Sequence, residues 1–108
     1  MIKVDIFRKK GNIVKLEMNG HADYSEGDDI VCASASSVAF AVLNGIENVV
    51  GVKIGYETGD GYLFFVLPDD ITECEQDKVS VLTESFYSFI KELETQYPAH
   101  VKVTELEV

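Results

Sequence analysis

The chain has 108 residues, 46% of them hydrophobic and 26% charged, which suits one domain with one core and no disulfide staples. Its formal net charge of −10, from 19 acidic and 9 basic residues, argues against direct nucleic-acid binding, which needs basic surface to displace counterions from phosphates. Ser34, Ser36, Ser37, Asn44, Glu47 and Asn48 interrupt the apolar stretch from Val31 to Val52, so no membrane span is expected. The opening MIKVDIF lacks the basic-then-apolar layout of a secretory signal, so a cytoplasmic location is expected.

Residues 2–8 alternate, with Ile2, Val4 and Ile6 against Lys3, Asp5 and Phe7, as a half-buried strand does. Gly11-Asn12 makes a turn, and residues 13–19 alternate again with Val14, Leu16 and Met18 on the apolar side. Lys3, Arg8, Lys9, Lys10 and Lys15 gather on this hairpin and read as solvated strand ends. Residues 20–29, GHADYSEGDD, form a polar loop. From Val31 the period changes: Ala35, Val38, Ala39, Val42, Ile46, Val49 and Val50 give one apolar helix face, capped by Asp28 or Asp29 and ended by Gly51.

Two further strands, 52–58 and 62–67, flank the turn sequence Gly59-Asp60-Gly61. Large residues on both faces of the second suit an inner strand. Thr72 and Glu75 have the spacing of a capping box, and Val79, Leu82, Phe86, Phe89, Ile90, Leu93 and Tyr97 mark a second amphipathic helix stopped by Pro98. Val101 and Val103 open a last strand, whose broken alternation at Leu106 and Val108 suggests a bulge or a frayed end. The order ββ-α-ββ-α-β predicts an α+β fold of two layers: a five-stranded mixed sheet with two helices on one face. Phe65 and Phe7 are expected on the uncovered face, which a second copy of the chain could cover.

The two cysteines and two histidines lack the paired spacing of a zinc site, and no metal or other cofactor is expected. The chemistry concentrates where the loop holding His21 runs into the helix holding Cys32. Thiolate is the reactive form of cysteine, and a helix N-terminus with its free N–H groups and partial positive charge favours it. A histidine in reach can take the thiol proton, and N–H groups at the helix start, that of Cys32 among them, can meet an oxyanion. On residue types alone, a cysteine like Cys32 is more often a small buried side chain than a nucleophile, and a histidine like His21 more often a turn residue than a base. Asp29 either caps the helix or orients His21 as the third member of a triad, and the two roles are compatible. Ser36, one turn beyond Cys32, shares its helix face and could hydrogen-bond substrate or the pair. Gly20 and Gly27 bracket the loop as turn residues or as hinges of a movable lid. Cys74 and His100 have no such setting.

The run GHADYSEGDDIVCASAS, residues 20–36, resembles the signature of the ribosomal-processing cysteine protease family Prp: Gly20-His21-Ala22, then Asp29-Ile30-Val31-Cys32-Ala33, then Ser36. The resemblance implies a single domain over residues 1–108, with a catalytic cysteine at Cys32 and a catalytic histidine at His21. Asp29 and Ser36 match two further signature positions. It implies an endopeptidase that removes a short N-terminal extension from a bacterial large-subunit ribosomal protein during ribosome assembly, cutting after paired aromatic residues, and acting as a small homodimer. The acidic balance suits a basic ribosomal extension as partner. Tyr62, Phe64, Phe65 and Phe40 are candidates for an apolar pocket. Two other readings stand beside this one: a non-enzymatic ribosome-associated module that binds a basic tail, and a redox-sensing thiol protein.

Overall fold

The structure, a computed structural model, describes residues 1–27 and 29–108. Asp28, one of the two capping residues considered above, lies outside them. Strands β1 (Ile2–Lys9) and β2 (Asn12–Asn19) form the expected hairpin, but its turn is Lys10-Gly11, and Asn12 already pairs with Lys9. Helix α1 (Ile30–Asn44) runs on into a wider π-helical segment, Gly45–Val50. Strands β3 (Gly55–Gly59) and β4 (Tyr62–Val66) form a second hairpin, followed by helix α2 (Glu73–Gln96) and strand β5 (Val101–Glu107). The sheet order is β3-β4-β2-β1-β5; β5 lies parallel to β1 and the remaining neighbours are antiparallel, so the sheet is mixed.

Register explains which side chains meet. Ile6, Leu16 and Phe65 sit side by side across three strands, as do Val4, Met18 and Leu63, and all six are buried together with α1 and α2 residues in one cluster. Phe65 therefore faces the helices and not the open side: in a run that is apolar on both faces, only the pairing of β4 with β2 decides direction. Phe7, Lys15 and Val66 share the open face, where the Lys15 ammonium lies 4.7 Å from the Phe7 ring centre and 5.2 Å from that of Phe64. The bulge sits in the first hairpin, not in β5. Register slips between Phe7 and Arg8, which puts Ile13 rather than Val14 into the core. Strand β5 keeps unbroken parallel register from Ile2↔Val101 to Arg8↔Glu107, and its outer half loses alternation because it is an exposed sheet edge.

Helix α2 opens with the expected reciprocal cap: the Thr72 hydroxyl accepts from the Glu75 N–H at 3.1 Å, and the Glu75 carboxylate accepts from the Thr72 N–H at 3.0 Å. Residues Ile30–Val50 make 21 residues of helix with mean hydropathy 1.6, long and apolar enough by length and composition to cross a membrane. Here one side of that helix is core, with Val31, Ala35, Ala39, Val42, Leu43 and Ile46 buried against the sheet and α2. Val49, expected on the same face, is 84% exposed. The wider turn, marked by the Gly51 N–H donating to Ile46 O at 3.0 Å, shifts the helical phase and swings Val49 outward. Val52 and Ile54 are buried but precede β3, which begins only at Gly55. Arg8 is no solvated strand end: it donates two hydrogen bonds to Glu84 on α2 (2.7 and 3.0 Å) and one to Glu105 on β5 (2.8 Å).

Candidate active site

Asp29 sets the start of α1. Its backbone is extended, and one carboxylate oxygen accepts from the N–H groups of Val31 and Cys32, each at 3.0 Å. The other accepts from the Tyr24 N–H at 2.9 Å, so a single side chain caps the helix and folds the loop onto it. The Cys32 N–H, with those of Tyr24, Ser25 and Val31, holds the Asp29 carboxyl below the usual carboxylate range. Of the two roles considered for Asp29, the cap is the one these contacts describe. The Cys32 N–H is thereby spent on Asp29 and is not a free donor for an oxyanion.

The cap delivers Cys32 to the first turn, half-buried, with its sulfur 3.9 Å from Nδ1 of His21. The His21 ring reaches that position from the end of β2. Gly20 there has φ +93°, and a β-carbon on it would come within 2.4 Å of the Met1 carbonyl oxygen, so only glycine fits. The Gly20 N–H donates to Gly61 O at 2.8 Å, tying the histidine to the β3–β4 turn. On that turn Asp60 Oδ1 lies 3.7 Å from Nε2 of His21. The carboxylate beside the histidine is thus Asp60. In the sequence Gly59-Asp60-Gly61 reads as turn chemistry, and only the pairing of β4 with β2 brings it to the site.

The loop has a second anchor that residue types did not suggest. His100 Nδ1 lies 2.8 Å from Ala22 O, and the Tyr24 ring packs edge-on against Tyr97 (5.2 Å between centres) and His100 (5.4 Å). Gly27 sits in the same loop at φ +81° with open space around it.

Beside Cys32 and His21 opens a cavity of about 210 Å³, walled by Ile2, Met18, Leu63 and Phe40 with Ser36 among its polar groups. Cys32, Ser36 and Phe40 follow one another at four-residue steps, so one stripe of α1 forms this wall. Of the four aromatic candidates, Phe40 and Tyr62 line the cavity, while Phe64 and Phe65 do not. The Tyr62 hydroxyl is shifted up by desolvation and by Glu17 and Glu57, neighbours on the open face. Both cysteines are free thiols, and Cys74 is exposed on α2. Among the described residues no group of His, Cys, Asp and Glu could hold a metal ion.

A thiol and an imidazole facing each other at a capped helix start, beside an apolar cavity, is equipment for thiol-based acyl transfer. The sequence profile of the family described as Cysteine protease Prp matches residues 1–102. The chain belongs to the Prp family of cysteine proteases. The ribosomal processing cysteine protease Prp of Bacillus subtilis is 31% identical over 109 aligned residues, covering 96% of each chain. The crystal structure of the ribosomal processing protease Prp from Staphylococcus aureus, in complex with a covalently linked product peptide, has a TM-score of 0.86 at 27% identity. It covers 97% of this chain and 99% of that one. SMU.848 from Streptococcus mutans, also a crystal structure, has a TM-score of 0.81 at 29% identity, covering 100% and 96%. The α+β sandwich of Prp is therefore the fold of this chain, and its activity is that of a cysteine protease.

Proposed function

We propose that this Prp-family protease removes a short N-terminal extension from a bacterial large-subunit ribosomal protein, cutting after paired aromatic residues, with His21 and Cys32 as its catalytic pair. The observation that carries the assignment is the 3.9 Å approach of His21 Nδ1 to the Cys32 sulfur at the edge of an apolar cavity. That separation suits a hydrogen bond to sulfur, which is longer than one to oxygen. That relatives in Bacillus subtilis and Staphylococcus aureus are ribosomal processing proteases supports this choice of substrate class.

In the proposed sequence Nδ1 takes the thiol proton, and the thiolate attacks the scissile carbonyl carbon to form a C–S bond. The C–N bond then breaks as the imidazolium returns its proton to the leaving amine. Water, deprotonated by the same imidazole, attacks the thioester; the product carboxylate leaves and the thiol is restored. Ser36 hydrogen-bonds the bound peptide or the pair from the same wall, and Phe40 contacts its aromatic side chain. Because Asp29 holds the Cys32 N–H, substrate must draw that carboxylate away before this N–H can serve the oxyanion. Gly20 and Gly27 are the proposed hinges of the loop that closes over the peptide.

The net charge of −10 suits a basic ribosomal extension as partner, in a cytoplasmic setting. A second copy of the chain is the proposed cover of the open sheet face, where Phe7, Phe64, Val66 and Leu106 stand. Incubation with the host's ribosomal protein precursors, followed by mass spectrometry, tests the function. One new N-terminus after an aromatic pair is expected, absent with Cys32→Ala and with His21→Ala. Full cleavage by Cys32→Ala would refute the assignment.

A further inference from the structure

We propose that Asp60 is a positioning residue for His21, holding the imidazole in the tautomer whose unprotonated nitrogen faces Cys32. This rests on the reading of His21 as the base. The two ring nitrogens have different neighbours: Nδ1 lies 3.9 Å from the Cys32 sulfur and Nε2 lies 3.7 Å from Asp60 Oδ1. A neutral imidazole carries one proton. On Nε2 that proton points at a carboxylate, and Nδ1 keeps a lone pair toward the thiol. On Nδ1 it faces the sulfur, leaves a lone pair against the carboxylate and blocks proton abstraction. Asp60 therefore selects the competent tautomer, and once Nδ1 has taken the thiol proton it also faces the resulting imidazolium.

The arrangement is built by the backbone. The hydrogen bond from Gly20 to Gly61 fixes the turn beside the histidine, and Gly61 has no β-carbon to push the ring away. Asp29, which the sequence offered either as helix cap or in this role, is occupied at both carboxylate oxygens by backbone N–H groups. At 3.7 Å the contact is electrostatic rather than a formed hydrogen bond. Asp60 is 97% exposed, so its effect is modest and screened by salt.

The test compares wild type, Asp60→Ala, Asp60→Glu and His21→Ala on a fluorogenic peptide ending in an aromatic pair, alongside 15N spectra of the histidine-labelled protein where the ring is neutral. Asp60→Ala is expected to lower kcat by about two- to fivefold at low salt, the range an exposed charge pair delivers, with KM unchanged. The deficit should shrink as salt rises, and Asp60→Glu should recover much of the rate. The His21 15N shifts should move from the Nε2–H tautomer toward a mixture in Asp60→Ala. Wild-type turnover in Asp60→Ala, or unchanged His21 shifts, overturns the proposal. An active His21→Ala would instead overturn the reading of His21 as base, so the two failures are told apart.

Discussion

Gly61 lies so close to His21 that a β-carbon on it would stand 2.8 Å from Nε2. It also has φ +67°, a conformation that costs a residue with a side chain about 1–2 kcal/mol. Gly61→Ala should therefore lower stability by about that amount and, separately, displace the imidazole. A drop in kcat/KM of at least about tenfold is expected, the cost of a small misplacement of a reacting group. Gly59→Ala is the control, since its β-carbon would meet nothing within 4 Å. Thermal melts and peptide cleavage on both variants check this; equal activity in the two would mean that the ring is not held by the turn.

Asp29 separates capping from catalysis. Asn at this position still accepts from backbone N–H groups, whereas Ala cannot. Asp29→Asn should keep most of the thermal stability and most of the activity, while Asp29→Ala loses both together. A stable, well-ordered Asp29→Asn protein with activity as low as that of His21→Ala would show that the carboxylate has a charge role at the histidine after all.

Tyr24, Tyr97 and His100 fasten the loop that runs from β2 through His21 to the helix carrying Cys32. Aromatic contacts of this kind are worth about 0.5–1.5 kcal/mol each. Tyr24→Ala should raise the open population of the loop by about tenfold, on the scale of 1.4 kcal/mol per decade. Limited proteolysis with cut sites mapped to residues 23–27 measures it directly. The melting temperature should fall as well, by about 4–8 °C for each kcal/mol that the lost ring contacts supplied.

Acid should weaken the fold through Arg8. Hydrogen bonding to Arg8, then to Tyr87, holds the Glu105 carboxyl below its usual 4.5. A carboxyl whose pKa is depressed by folding adds stability in full above its unfolded value, and loses it as pH falls through the lower, folded one. This share of stability is thus intact at neutral pH and disappears below about 4.5. Arg8 is largely covered, but Glu84 and Glu105 are more than a third exposed, so the whole network is worth about 1–2 kcal/mol after screening. Arg8→Met should lose about that much at pH 7, and its stability should fall less steeply with acid. Urea melts across pH test this; parallel curves for wild type and Arg8→Met would contradict it.

How much was readable before the structure differs from residue to residue. The first hairpin, the Thr72–Glu75 cap and the stripe of α1 carrying Cys32 and Ser36 are local patterns, each set within one or two turns of chain, and each is present. Phe65 is different, because a strand that is apolar on both sides has no preferred face until it finds its neighbour. Val14 yields its core place to Ile13 for a similar reason: the bulge is a property of the β1–β2 pair. Asp60 and Gly61 stayed hidden because their relation to His21 is made by strand pairing, while Asp29 offered a nearer carboxylate that the helix start claims first.

The seat of the histidine is bolted to a turn far along the chain by the hydrogen bond from Gly20 to Gly61, at the end of the β2–β4 pairing. The helix start that carries Cys32 is set by the nearby Asp29 cap, whereas His21 gains its tie to the β3–β4 turn only once β4 has docked on β2. If His21 is the base proposed above, a half-made chain would carry a sulfur without a working imidazole. Proteolytic capacity would then arrive only with completion of the sheet, and a nascent copy would be harmless to itself and to the peptides around it.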